Sequence, residues 1–523
     1  MKKLSIEYRC FLALLVFALS TVSIAQNLDV LIVNGQIHDG SGEPPFPGVV
    51  AIKDERIVYV GPAKGAPESA AAVIDANGLP VVPGFIDPHT HALVDLRSER
   101  RRQNVNYLTQ GVTTVFVGND GGGKPHVAEL AAELEANGIG PNVAFFVGHG
   151  ELRTSVMGLE NRAPTAAEMA QMGQLLQASM DEGALGLSTG LYYSPGSYAT
   201  TDEVIALAQI ASRAGGIYES HLRDESSYTI GFLAALEEAI DIGRRADIPV
   251  HIGHIKALGV DVWGQSEQAI KMIVSAREEG IQVTADQYPW EASGTHLRNA
   301  LVPGWALADS NEKYQQRLRD PDTLARIKPA VAENIRRRGG PQALLVATCP
   351  DARFAGKTLA DAAQTLQLSA TDAAIHLLSL GSSRVISFNM QAEDIENFMR
   401  QDWVMTSSDG IDQHPRKYAS FPQKFSQYVQ GRELMSVAAF VHRSSGLTAK
   451  TFGLEHRGFL REGYFADIAV IDPKTFAARA DYLNWNRLST GVQHLFVNGQ
   501  AVIREGEVLP VLAGRPLEKS SGP

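Results

Sequence analysis

Apolar and polar residues alternate in short runs at both ends of the chain, a pattern that predicts β-strands there. Residues 29–82 contain such runs between glycine, proline and asparagine turns, as is typical of strands and hairpins. The same texture returns near the C-terminus at 465–472 and 492–508, and the tetrapeptide Val-Asn-Gly-Gln occurs at 33–36 and again at 497–500. We expect the two β-rich ends to pair into one small sandwich.

Between these ends, strand-like runs alternate with helical stretches. Such runs occur at 85–91, 113–118, 143–148, 184–188, 216–221, 249–254, 282–289 and 403–409. Repeated strand–helix alternation indicates a parallel sheet, and seven or eight strands over this length favour a closed (β/α)8 barrel over an open sheet. A further strand-like run occurs at 384–389, and the sequence does not decide whether it adds a strand to this count. Residues 303–380 are charged and helical in pattern, which predicts an insertion.

The first 25 residues have the layout of a secretory signal peptide. Basic residues dominate the first nine positions, an unbroken apolar run follows at 10–19, and the small residues Ser23 and Ala25 frame a predicted cleavage after Ala25. A membrane anchor is the alternative, but the apolar run is shorter than the ~20 residues that a span requires. We therefore expect a periplasmic or secreted bacterial protein with no stable membrane association after cleavage.

The predicted fold class is α/β, and the chain divides into four parts. They are a signal peptide at 1–25, a first sandwich segment at 26–83, a (β/α)8 TIM barrel at 84–446 with a helical insertion at 303–380, and a second sandwich segment at 447–523. The composition agrees, because 44% hydrophobic and 20% charged residues are ordinary for a globular protein. The net charge of −11 gives no sign of the basic surface that nucleic-acid binding needs.

Potential metal ligands stand at five predicted strand ends, which is where a βα barrel carries its catalytic groups. They are His89 with His91, Asp120, His221, His254 and Asp409. Two histidines at positions i and i+2 of a strand share one face, so both can reach one ion. His251 lies on the opposite strand face from His254, and a packed or supporting role is favoured for it.

Each of these residues has an ordinary structural interpretation when it is taken alone. A His-x-His pair can lie on the surface, and the glycine-flanked Asp120 can form a turn. Their joint occurrence at five strand ends favours a metal-dependent barrel. The chain has fourteen histidines and two cysteines, and Cys10 would leave with the signal peptide, so that Cys349 cannot form an intrachain disulfide. Imidazole and carboxylate ligands suit Zn²⁺.

The chemistry expected at such a site is hydrolysis. A bound zinc ion polarises a carbonyl group and acidifies water, and a nearby carboxylate then transfers a proton to the leaving nitrogen. Asp409 is the candidate for this acid–base role because it ends the last strand at the same mouth. The chain contains no P-loop, which argues against a nucleotide-binding alternative.

Several segments resemble the amidohydrolase superfamily, among them FIDPHTH at 85–91 and GFLREGYFADIAVIDP at 458–473. Others are similar to the N-acyl-D-amino-acid deacylases, or D-aminoacylases. These are TQGVTTVFVGND, VGHGELR, GALGLSTGLYYSPGSYA, YESHLRDE, GHIKALG, DQYPW and SSDG followed by HPRKYASFP. The resemblance extends from about residue 28 to residue 510. It implies a metal-bearing barrel with a small sandwich, and hydrolysis of the amide between an acyl group and a D-amino acid.

The resemblance also implies a role for each matching residue. His221 and His254 match the tight zinc ligands, and His89 and His91 match the pair that serves a second, weaker metal position. Asp409 matches the catalytic acid–base. The residues that match the substrate-holding positions are Lys256, Arg416, Tyr288 and Tyr193. For a substrate carboxylate this assignment is chemically reasonable, since an arginine fork and a lysine recognise a fixed anion well.

One position departs from the family pattern. Many D-aminoacylases have a cysteine where this chain has Asp120, so that one zinc ion and two bridged ions are equally compatible with the sequence. No strand-end lysine suits the carbamate bridge of hydantoinases and dihydroorotases, and Ser188 ends the corresponding segment. The alternatives to a deacylase are a cyclic amidase, a D-specific dipeptidase, and a non-catalytic periplasmic metal-binding protein. The expected partner is a small N-acyl amino acid, while the oligomeric state is not predicted.

Overall fold

Eight parallel strands form the centre of the computed structural model, which describes residues 28–519. The predicted signal peptide lies outside the described residues. The barrel strands are β1 (Phe85–Asp87), β2 (Val112–Val117), β3 (Asn142–Phe145, continued by Val147–Gly148), β4 (Gly186–Gly190), β5 (Ile217–His221), β6 (Val250–Ile252), β7 (Val283–Gln287) and β8 (Val404–Thr406). Strands β2, β4 and β5 are buried along their whole length, as parallel strands covered on both faces are.

The barrel closes where β8 meets β1. The Asp409 N–H donates to His89 O at 2.9 Å, and the Ser408 N–H donates to Asp87 Oδ1 at 3.1 Å. Parallel pairings join the remaining strands in the order of the chain. The prediction of a (β/α)8 barrel is confirmed. Closure also brings the last strand end beside the first, which places Asp409 next to the His89 segment.

Helices surround the barrel and follow most of its strands. They are Leu93–Leu96, Val105–Leu108, Val127–Asn137, His149–Met157, Ala166–Asp181, Thr201–Arg213, Phe232–Ala246, Ser266–Glu278, Ala392–Met399, Arg416–Lys424, Val437–Ser444 and Gly446–Phe452. Thr165 and Glu168 form a capping box that starts one of them. No helix within residues 28–519 is long and apolar enough to cross a membrane.

The insertion between β7 and β8 differs from its prediction. It has helices at Leu297–Leu301, Asn311–Arg319, Pro321–Arg337, Leu359–Leu366 and Ala370–Leu380, and an antiparallel sheet of Ala292–His296, Arg384–Phe388, Leu344–Thr348 and Lys357–Thr358. The segment predicted as helical at 303–380 contains the last four of these helices, and it also contains the two strands Leu344–Thr348 and Lys357–Thr358, which the prediction did not include. The long charged helices obscured the short buried strand at Leu344–Thr348, and the run at 384–389 joins this sheet rather than the barrel.

Both chain ends contribute to one nine-stranded sheet. Its strands are Val30–Ile37, Phe46–Lys53, Arg56–Gly61, Ala72–Asp75, Pro80–Pro83, Ile468–Ile471, Val492–Val497, Gln500–Arg504 and Glu507–Val508. The two ends pair where Pro80–Pro83 runs antiparallel to Ile468–Ile471. The sheet folds back on itself, since the Ala466 N–H donates to Glu55 O at 2.8 Å. In the second sandwich segment, predicted at 447–523, a helix occupies residues 446–452 and the first strand begins at Ile468.

A buried ion pair joins the sheet domain to the barrel. Asp467, only 5% exposed, pairs with Arg457, accepts the Asn498 N–H at 2.8 Å and accepts Asn142 Nδ2 of β3 at 3.3 Å. Its carboxylate is therefore shared between three segments that are distant in the chain. Such a carboxylate stabilises the junction only while all its partners remain in place, because each of them would otherwise be buried without a partner.

Replacing Asp467 with alanine is expected to lower the free energy of unfolding by about 3–5 kcal/mol, since it leaves the Arg457 guanidinium buried without its partner. Urea denaturation followed by circular dichroism measures this change. Glu462→Ala, at an exposed position on the same segment, is the matched control and should stay within about 0.5 kcal/mol of the wild type. Equal stabilities of the two variants would contradict the junction role.

Candidate active site

The structure brings six of the sequence-predicted residues together at the C-terminal mouth of the barrel. His89, His91, Asp120 and Asp409 form one group whose potential ligand atoms lie within 4.8 Å of one another, and Asp120, His221 and His254 form a second. Asp120 belongs to both groups. Its Oδ1 lies 3.2 Å from His89 Nε2, 3.4 Å from His221 Nδ1 and 3.3 Å from His254 Nε2. This carboxylate therefore stands where it can bridge two metal positions.

The donor atoms fit a metal ion. His89 Nε2 and Asp120 Oδ1 are buried and have no hydrogen-bond partner in the described part of the chain. Buried polar atoms normally have a hydrogen-bond partner, so the convergence of these atoms fits a site that binds a metal ion. Imidazole nitrogens with carboxylate oxygens form a donor set that zinc accepts. The group around His221 and His254 has two nitrogens and one oxygen, whereas the other group has two of each.

The backbone at three of these residues has a left-handed conformation. Asp120 has φ of 57°, His254 of 36° and Asp409 of 46°. For residues other than glycine this costs about 1 kcal/mol or more, and it persists only where the surrounding structure fixes it, most often at functional sites. One candidate ligand at the end of each of the strands β2, β6 and β8 therefore has a strained backbone.

The loop that carries Asp120 is held against β4. The Ser188 hydroxyl donates to Gly118 O at 2.5 Å and accepts the Gly121 N–H at 3.0 Å. A Cβ atom at Gly190 would lie 2.2 Å from Asp120 O, so the close approach of this loop to β4 requires glycine there. These contacts explain how a residue beyond a strand end is placed as firmly as one within a strand.

Asp409 lies between the metal-ligand group and a cation. Its Oδ1 is 3.1 Å from His91 Nε2, and its Oδ2 is 2.8 Å from Arg416 Nη1. Burial opposes ionisation, but the Arg416 guanidinium and the neighbouring imidazoles hold the pKa of the Asp409 carboxyl well below its ordinary value. Asp409 is therefore ionised at neutral pH and can accept a proton.

Sequence analysis missed a layer of buried carboxylates beneath the ligands. Asp286 accepts His251 Nε2 at 2.9 Å and the His254 N–H at 3.0 Å, and it lies 3.5 Å from His89 Nδ1. Glu219 lies 3.6 Å from His89 Nδ1, and burial raises its pKa to about 8. Strand alternation could have revealed Glu219, because it precedes His221 by two positions and shares its face. His251, for which a supporting role was favoured, contacts Asp286.

A cavity beside this cluster contains the four predicted substrate residues, Lys256, Arg416, Tyr193 and Tyr288. The Arg416 guanidinium lies 4.7 Å from the centre of the Tyr288 ring, and Lys256 Nζ lies 5.7 Å from it. Other lining residues were not predicted, among them the polar side chains of Glu225, Tyr192, Tyr228 and Arg338. Glu225 follows His221 by four positions, and its Oε1 lies 2.5 Å from Lys256 Nζ. Arg338 comes from the insertion, and no local pattern indicates it.

Comparison with known proteins gives consistent matches. The amidohydrolase family matches residues 72–286 and 390–503 of the chain, and this match omits the region of the insertion. The D-aminoacylase of Alcaligenes xylosoxydans xylosoxydans is 32% identical over 527 residues, which cover 95% of this chain and 99% of the relative. The N-acyl-D-glutamate deacylase of the same organism is 31% identical, with coverages of 91% and 94%.

A solved structure matches over nearly the whole chain. The N-acyl-D-glutamate deacylase from Bordetella bronchiseptica was crystallised with zinc and a phosphonate inhibitor that mimics the tetrahedral intermediate of its reaction. It superposes with a TM-score of 0.79 at 31% sequence identity, and the match covers 94% of this chain and 100% of that one. The similarity therefore includes the barrel, the insertion region and the sheet domain together.

Proposed function

The chain belongs to the amidohydrolase family, in the group of D-aminoacylases and N-acyl-D-amino-acid deacylases, and we propose that it hydrolyses the amide bond of N-acyl-D-amino acids. The products are a carboxylate and a free D-amino acid. One observation carries this conclusion: the two metal-ligand groups that share Asp120 lie beside a cavity whose lining includes the cations Lys256 and Arg416. An amide next to a carboxylate is the substrate that such a site accommodates.

The cofactor is zinc, as one or two ions. His221, His254 and Asp120 would hold the first ion, and His89, His91, Asp120 and Asp409 would hold the second. When bound, zinc polarises the scissile carbonyl group and acidifies water. Asp409 accepts the proton of the attacking water and then donates it to the leaving nitrogen, which releases the amine as a good leaving group.

The cations of the cavity recognise the substrate's α-carboxylate. Arg416 offers a planar fork of N–H donors and Lys256 a compact charge, and both lie beside the Tyr288 ring. Each has a carboxylate of the chain as its partner in the free enzyme, Asp409 for Arg416 and Glu225 for Lys256. Substrate binding therefore adds an anion to two existing pairs and orients the amide towards Asp409.

Paired enantiomers test the function. The zinc-loaded protein should release amino acid from N-acetyl-D-leucine and N-acetyl-D-glutamate at least about 10²-fold faster than from the L-enantiomers, since a misplaced amide loses the orientation that catalysis requires. An assay for primary amines measures the release. Hydantoins and D-containing dipeptides are run in parallel, and faster turnover of either class, or a preference for the L series, would overturn the proposal.

We also propose that the protein acts outside the cytoplasm. The support is the basic start and the apolar run of residues 1–25, which lie outside the described structure. After cleavage behind Ala25 the mature enzyme would begin at Gln26, the first residue of the sheet domain segment predicted at 26–83. It would encounter small N-acyl amino acids in the periplasm or the medium without a stable membrane association.

A further inference from the structure

Three cationic side chains line the substrate cavity, and two of them have a carboxylate partner. Lys256 Nζ lies 2.5 Å from Glu225 Oε1, and Arg416 Nη1 lies 2.8 Å from Asp409 Oδ2. The third cation, Arg338, has no carboxylate oxygen within 4.0 Å in the region 28–519 that the structure describes. The cavity therefore offers one positive charge that the chain itself does not neutralise.

Arg338 is fixed in place rather than flexible on the surface. The residue as a whole is only 3% exposed. Nε donates to Ala300 O at 3.2 Å, and Nη1 donates to Ser387 Oγ at 3.0 Å. Both acceptors are neutral and belong to the same insertion. A buried guanidinium without a counter-ion is costly, so a charge held in this way indicates a site that receives an anion.

Two tyrosines connect Arg338 to the metal-ligand cluster. The Arg338 guanidinium lies 5.6 Å from the centre of the Tyr228 ring, and the Tyr228 hydroxyl is buried without a hydrogen-bond partner among the described residues. The Tyr192 ring lies 5.5 Å from the Tyr228 ring and 5.9 Å from the His221 ring. An unpaired cation and an unpaired hydroxyl thus stand together, two aromatic rings away from a metal ligand.

We infer that Arg338 and Tyr228 bind a second carboxylate of the substrate, and that the preferred substrates are N-acyl-D-amino acids which carry two carboxylates. This inference rests on the proposed function. Arg416 and Lys256 hold the α-carboxylate, while the guanidinium fork of Arg338 binds the other and the Tyr228 hydroxyl donates to it. The second carboxylate has two possible sources, an acidic side chain such as that of D-glutamate or a dicarboxylic acyl group such as succinyl.

Steady-state kinetics with matched substrates tests the inference. The wild type should favour N-acetyl-D-glutamate over the isosteric N-acetyl-D-glutamine by about 10–100-fold in kcat/KM, the range for a hydrogen bond to a charged group. Arg338→Met should remove this preference, because it should raise KM for N-acetyl-D-glutamate by a much larger factor than KM for N-acetyl-D-glutamine. The same comparison with N-succinyl-D-leucine and N-acetyl-D-leucine tests a dicarboxylic acyl group. If the second carboxylate comes from the acyl group, the wild type should prefer N-succinyl-D-leucine, and Arg338→Met should lose that preference.

A neighbouring arginine provides the control. Arg337 also lies 5.6 Å from the Tyr228 ring, but it does not line the cavity and instead donates to Ser227 Oγ and Asn334 Oδ1. Arg337→Gln should leave the preference for the dicarboxylate unchanged. Thermal melting of both variants excludes a general loss of the insertion. An equal fall on the charged and neutral substrates in Arg338→Met would overturn the inference.

Binding separates failure of this inference from failure of the proposed function. Calorimetric titration of the Asp409→Asn variant with N-acetyl-D-glutamate and N-acetyl-D-glutamine measures affinity without turnover. The charged ligand should bind about 10-fold or more tightly, and Arg338→Met in the same background should abolish the difference. If no N-acyl-D-amino acid is hydrolysed but this difference is seen, the function fails and the anion site stands. Equal binding of the two ligands rejects the anion site.

Discussion

Replacing Asp409 with asparagine is expected to lower kcat on N-acetyl-D-amino acids by about 10³-fold, within the range for loss of a general acid–base group. Asparagine has the size of aspartate, but its amide cannot take a proton from water or return one to nitrogen. Because that transfer occurs only on the way through the transition state, kcat and kcat/KM should fall together. Release of the free amine from N-acetyl-D-glutamate and N-acetyl-D-leucine measures both constants.

The matched control for this substitution is Asp412→Asn. Asp412 lies three positions further along and pairs with Lys417 and Arg101, outside the cavity lining. The same chemical change should therefore leave kcat within about 3-fold of the wild type, as for surface positions away from the site. Since Asp409 is also a candidate metal ligand, zinc is quantified in each protein and rates are compared at equal zinc per chain. Undiminished turnover in Asp409→Asn would remove its assigned role.

The candidate ligands could be found from the sequence because they occupy equivalent positions in the barrel. Each lies at or just beyond the end of a parallel strand, and closure of the barrel brings these ends to one mouth. His89, His221 and Asp409 are distant in the chain, yet the strand pattern alone predicts that they converge. The structure adds how tightly they converge and that Asp120 is the shared residue.

The insertion could not be derived in the same way. Arg338 follows the helix Pro321–Arg337, and its surface neighbours Arg336 and Arg337 have the same chemical character. Only the folded insertion turns one of these three arginines into the cavity, through hydrogen bonds to Ala300 and Ser387. Substrate selectivity is therefore decided by tertiary packing that strand and helix periodicity do not encode, whereas the reaction itself is indicated by residue type and position.

The second large effect is expected on zinc binding when Asp120 is replaced, because this residue belongs to both ligand groups. A carboxylate can bridge two ions with its two oxygens, and here Oδ1 faces His89, His221 and His254 while Oδ2 lies 3.6 Å from His91 Nε2. Loss of this side chain removes one ligand from each position at once. Oxygen is also a harder donor than the thiolate of a cysteine, which affects the choice of metal.

Asp120→Ala is accordingly expected to weaken zinc binding by more than about 10²-fold, beyond the effect of losing a residue that only supports a ligand. Zinc per chain after dialysis against a chelator, measured by atomic emission, should fall well below the wild-type content. Asp120→Cys should restore binding and shift it towards soft ions such as Cd²⁺. Asp247→Ala is the matched control, because Asp247 is exposed and also left-handed, with φ of 50°. Wild-type zinc content in Asp120→Ala would show that the shared carboxylate is not a ligand.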